Sequence, residues 1–132
     1  MTVRGRWAVA VVGVLAAAAV ALLFWPRPST PVDVTGYAGP HQVRLLISTP
    51  TVGAHDVAVE VTDAASAQRV VIAPVMVDMG HASAPVLATA TVPGHFTAAG
   101  VEFFMSGRWD VAITVHGPDG ATEVVLPVLI AP

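Results

Sequence analysis

Residues Trp109–His116 read WDVAITVH, with Trp109, Val111, Ile113 and Val115 alternating against Asp110, Ala112, Thr114 and His116. A period of two is the side-chain spacing of a strand with one face in a core and the other in water. Immediately downstream, Gly117, Pro118, Asp119 and Gly120 are turn formers, and Val124, Leu126, Val128 and Ile130 resume the alternation. The two runs read as a hairpin. Trp109 shares the inner face with Val111, where its large ring would anchor a core.

The same pattern extends backwards from this hairpin. His95 to Met105 puts Val101, Phe103 and Met105 on one face and Glu102 and Phe104 on the other. Val86 to Val92 forms another strand and ends at the turn pair Pro93 and Gly94. Arg69 to Val77 reads as a strand interrupted by Pro74, whose missing N–H favours a sheet edge or a bulge. Val57, Val59 and Val61, and before them Val43, Leu45 and Ile47, complete the set, with Pro50 and Gly53 between. No segment after the N-terminal apolar run shows helical spacing with caps. The expectation is an all-β, immunoglobulin-like β-sandwich of about seven strands. A small barrel would give the same alternation.

The N-terminus differs. From Trp7 to Trp25 no residue is charged, and Ala, Val, Leu, Gly, Phe and Trp make up the run. About 20 such residues cross a bilayer core. Arg4 and Arg6 precede it and Arg27 follows, so the basic excess predicts a cytoplasmic N-terminus and an exported remainder. The expected organisation is a cytoplasmic N-terminus at 1–6 and a transmembrane signal-anchor helix at 7–25. A Pro/Gly-rich linker at 26–40 and one β domain at 41–132 follow. The protein is thus expected in the cell membrane as a single-pass chain. A cleaved signal peptide is the rival reading, because Ala17, Ala19 and Ala21 are small residues of the kind a signal peptidase accepts. Against it, the apolar run continues through Leu22, Leu23, Phe24 and Trp25, and the tryptophans stand where an aromatic belt would.

Composition excludes several functions. There is no cysteine, hence no acylated lipoprotein and no disulfide, and soft-metal chemistry would have to use Met and His. Beyond Arg27, three arginines face nine acidic residues, a net charge of −6. That balance argues against a nucleic-acid partner. No nucleophile elbow, zinc-protease helix, phosphate-cradling loop or dinucleotide fingerprint is present, so the chain is not expected to be an enzyme.

One stretch carries candidate chemistry: Met76, Val77, Asp78, Met79, Gly80 and His81, MVDMGH. Thioether sulfur suits Cu(I), and imidazole serves both copper oxidation states. On an extended backbone Val77 and Met79 would share one face and Met76 and Asp78 the other, so that one methionine reaches His81. The competing reading makes Met a core filler and His81 a solvated loop residue. Met105 alternates with Val101 and Phe103, as ordinary core packing would have it. His95 and His116 fall at a turn and a strand end, and His41 and His55 have no soft ligand nearby in the sequence.

The stretch from Pro74 to Val115 resembles the YtkA-like domain family, which is related to FixH and found in small exported or membrane-tethered proteins. Three motifs carry the likeness: MVDMGH at 76–81, VPGHF at 92–96 and FMSGRWD at 104–110. Phe96 stands where the family often has Tyr. The resemblance implies an immunoglobulin-like sandwich and, in many relatives, copper handling or assembly of copper-containing respiratory oxidases. Carried over, it makes Met79, Gly80 and His81 the copper-facing loop, with Met105 a third ligand from a neighbouring strand and Met76 a further candidate. The function implied is extracytoplasmic copper binding, Cu(I) favoured, with delivery to a membrane-protein acceptor. The alternative is a metal-free structural or interaction module of a membrane complex.

Overall fold

A computed structural model describes residues 3–26 and 28–132, with side chains described from Val9 onward except at Arg27. The side chains of Arg4, Arg6, Trp7 and Arg27, on which the charge-bias and part of the aromatic-belt readings rest, lie outside the described residues. One helix, α1 (Val3–Leu23), precedes nine strands. These are β1 (Val32–Ala38), β2 (His41–Ile47), β3 (Gly53–Val61), β4 (Arg69–Met76) and β5 (His81–Ala82). β6 (Val86–Val92), β7 (His95–Phe103), β8 (Gly107–Gly117) and β9 (Gly120–Ile130) complete the sheet. Among the described residues no helix is long and apolar enough to cross a membrane; the part of α1 with described side chains runs only from Val9 to Leu23.

The fold is all-β beyond α1, and every strand expected from the alternation is present. All pairings named within the sheet are antiparallel. β8 and β9 form the expected hairpin, closed by the Gly117–Gly120 pair. Trp109, Val111, Ile113 and Val115 are all buried, as one face of a half-buried strand requires. They meet Val43, Leu45 and Ile47 of β2 and Leu126, Val128 and Ile130 of β9 in one core.

The expected organisation needs four corrections. The strand count is nine rather than about seven, because β1 and the two-residue β5 were not anticipated. β1 lies inside the stretch read as a linker over 26–40: despite Gly36 and Gly39 its residues alternate, and Val32 and Val34 pack against the core. The β domain therefore starts at Val32, not at 41.

The sheet is also one continuous path, β1-β2-β3-β7-β6-β4-β8-β9, rather than two separate layers. β6 turns the corner: Val86, Leu87 and Ala88 pair with β4, and Thr89, Ala90 and Val92 pair with β7. Strands that switch layers in this way make the corners of barrel-like sandwiches. The two ends of the path, β1 and β9, then face each other without a ladder between them. Gly36 permits this approach, since a Cβ there would stand 2.6 Å from Leu126 Cδ2.

The last correction concerns Pro74, which is not at an edge. β4 pairs with β8 on one side and with β5 and β6 on the other. The Pro74 carbonyl accepts the Ser83 N–H at 3.0 Å, so it faces the connection between β5 and β6. N and O of one strand residue point the same way, so the missing donor faces that interruption in the ladder.

Candidate metal site

The strands place MVDMGH at one end of the barrel. β4 ends at Met76, and Val77–Met79 form a single 3-10 turn rather than the extended segment on which the facing argument rested. Gly80 follows in the left-handed conformation (φ 64°, ψ 23°), and its N–H returns to the Val77 carbonyl at 3.1 Å. That turn makes β5 antiparallel to β4 and sets His81 opposite Met76. Directly opposed residues project to the same side of a ladder, with Cβ atoms about 5 Å apart. Met76, the weaker candidate in the sequence, is thus the methionine that tertiary structure pairs with His81.

The candidates differ in exposure. Met76 is 4% exposed, and a Cβ at Gly107 would stand 3.2 Å from its Cε, so the thioether end reaches the start of β8. Met79, on the 3-10 turn, is 57% exposed. His81 is exposed as well. Met105 lies in the β7–β8 connection, half-buried against the core, and its carbonyl accepts the indole N–H of Trp109 at 3.0 Å. Trp109 in turn packs edge-on against Phe103, with ring centroids 5.4 Å apart. Met76, Met79, His81 and Met105 therefore share one end of the barrel, two of them with thioethers directed toward the core and two in solvent. Among the described residues no group of three or more His, Asp or Glu side chains is arranged to hold a metal ion, so any site here would rest on thioether and imidazole.

The remaining histidines separate by position. His95 Nδ1 is 3.7 Å from Glu60, and His116 Nδ1 is 3.4 Å from an Arg69 nitrogen. His41 Nδ1 lies 3.3 Å from the Thr62 carbonyl. These three occupy the opposite end of the barrel from Met76. His55, dismissed in the sequence for want of neighbours, lies at the same end as His81. It stands opposite the buried Val101, and its Nε2 donates to the Thr51 carbonyl at 2.7 Å. A proton fixed on Nε2 leaves the Nδ1 lone pair free, the arrangement by which backbone carbonyls orient histidine ligands. Nothing in the spacing signals it, because only the β3–β7 pairing brings it to this end.

The main electrostatic feature lies elsewhere, on the outer face of β1, β2 and β3. Arg44 donates to both Asp33 oxygens, at 2.8 and 2.6 Å, and to Glu60 at 3.1 Å. The hydrogen bond from Arg44 holds the Asp33 carboxyl below its usual range, and the two carboxylates push the guanidinium further toward its charged form.

A groove of about 660 Å³ opens where the chain enters the barrel, lined by Ser29, Thr30 and Pro31 together with Pro50, Gly107 and the end of β9. Gly107 thus belongs both to this groove and to the surroundings of Met76. Comparison of the chain with protein families, curated proteins and solved structures finds no match.

Proposed function

We propose that the chain is a membrane-anchored, extracytoplasmic copper-handling domain of the YtkA-like kind. In this reading it holds Cu(I) through Met76 and His81, with Met79 and Met105 near the site, and hands the ion to a membrane-protein acceptor such as a respiratory oxidase. The observation that carries the reading is the register of β4 and β5, which pairs a buried thioether with a solvent-facing imidazole across one rung. A soft ligand held in the core beside an exposed, exchangeable one suits an ion that is carried and released. The anchor is supported by α1: from Val9 to Leu23 every described residue is exposed, and none carries a charge. Holding the domain at the membrane would raise the local concentration of copper near an acceptor there.

The test is an anaerobic Cu(I) competition titration of the full chain in detergent against a chromophoric chelator, for wild type and His81→Ala. The wild type withdraws one copper ion per chain, and His81→Ala loses roughly tenfold or more in affinity. If neither competes, copper handling is overturned. A second reading, a metal-free interaction module of a membrane complex, then stands. It is favoured by the packing of Met76 against Gly107, which is ordinary core behaviour, and by the outward position of Met79.

A further inference from the structure

We propose that the end of the barrel bearing Met79 and Phe104 rests on the lipid headgroup layer of the membrane that α1 enters. This rests on the anchor reading given above. Two independent observations lead to it, one from chain length and one from the distribution of apolar side chains.

β1 begins at the end of the barrel that also holds Met76, His81, Gly107 and Ile130. The register shows this: Val32 pairs with Ile47, Gly53 with Phe103, Val75 with Asp110 and Gly107 with Ile130. The Phe24 N–H still bonds to the Val20 carbonyl, and Ser29 already lines the groove beside β9. The span left to bridge, from Phe24 to Ser29, is five Cα–Cα steps and reaches at most about 18 Å when fully extended. β9 is 11 residues long, so it spans roughly 37 Å, and about 28 Å along the axis at a barrel tilt near 40°. The tether is too short to stand the barrel on its opposite end. The end nearest the bilayer is the one carrying the candidate site.

Exposed apolar side chains in the connections follow the same division. Val52, Val77, Met79 and Phe104 are each between 43% and 64% exposed, and all four lie in connections at the tether end. Among the described residues, no connection at the opposite end exposes a large apolar side chain. Apolar tips on a tethered rim are what an interfacial contact requires, since burial to about 5–10 Å removes them from water. The domain has a net charge of −6, so the lipid it fits is zwitterionic, held by apolar contact and not by charge.

The absence of cysteine makes the test direct. Single-cysteine variants of the full chain, Ser106→Cys at the tether end and Asp119→Cys at the opposite end, are labelled with one fluorophore. They are reconstituted into phosphatidylcholine vesicles containing headgroup-spin-labelled lipid. Quenching of the Ser106→Cys label should exceed that of the Asp119→Cys label by roughly threefold or more. Adding Val77→Asp, alone or with Phe104→Asp, should reduce the excess, with circular dichroism reporting that the sheet is retained. Equal quenching at both labels, in a chain that resists carbonate extraction, overturns the rim contact and leaves the anchor standing. A chain released by carbonate overturns the anchor and the rim contact with it.

Discussion

The two ends of the barrel are made by the same strands and differ in what their connections carry. At the end away from the tether, turns such as Gly39-Pro40, Pro93-Gly94 and Pro118-Asp119 reverse the chain in few residues. Their chemistry is explained by turn geometry alone. At the tether end the connections hold Val52, Val77, Met79, Phe104 and Met105, and the two-residue β5 adds His81, residue types that no turn requires. The difference separates connections made of turn formers from connections that also carry apolar and potentially metal-ligating side-chain types.

The most severe way to break the tether end is Trp109→Ala. It removes a fully buried ring, its edge-on contact with Phe103 and the hydrogen bond that fixes the Met105 carbonyl. Urea unfolding of the full chain should show a loss of about 3–5 kcal/mol. A paired glycine experiment compares the ends directly. Gly94, at the far end, has φ 80°, and a Cβ there would stand 2.8 Å from the Val61 carbonyl oxygen. Gly80, with φ 64°, has open space around it. Gly94→Ala should cost about 3 kcal/mol, and Gly80→Ala only the left-handed backbone term of about 1 kcal/mol. Equal costs would mean that the Gly80 turn is packed in a way its surroundings do not suggest.

The proposed copper site sharpens the same comparison at lower amplitude. His81→Ala should lower Cu(I) affinity by roughly tenfold or more, while His95→Ala and His116→Ala stay within about twofold of wild type. Equal losses from all three would show that copper is read by histidine content and not by the site. The smallest expected effect belongs to the Asp33–Arg44 pair, where both groups are solvent-exposed and screened. Because the folded Asp33 pKa is lowered, the pair stabilises above the unfolded value of about 3.9, and this is lost as pH falls through the folded value. Asp33→Asn should therefore unfold slightly earlier than wild type near about pH 7, with the difference shrinking as the pH falls through the folded Asp33 pKa.

Much of the fold is legible in the sequence. WDVAITVH, the turn after it and the paired valines of β2 and β3 each announce a strand with one buried face, because burial on a pleated sheet imposes a period of two. β1 reads as linker because Gly36 lies within it and Pro28, Pro31 and Gly39 flank it. Gly36 in fact permits the close approach of β9, a constraint set by a strand distant in sequence. Pro74, expected at an edge or a bulge, lies inside the sheet for a related reason. A proline excludes a hydrogen bond locally, but where that missing bond is harmless depends on which neighbouring strand is interrupted.

The candidate site divides in the same way. Local chemistry was sufficient to single out MVDMGH and to rule out cysteine-based chemistry, since these follow from residue type and short spacing; Met105 joined it only through what the family resemblance implies. Which methionine faces His81, that His55 lies at the same end, and that the chain from α1 enters the barrel at this end came only from the tertiary fold. The physical reason is that a strand's alternation specifies which residues face inward. Register and sheet closure specify what they face, and those are set by contacts between segments far apart in the chain.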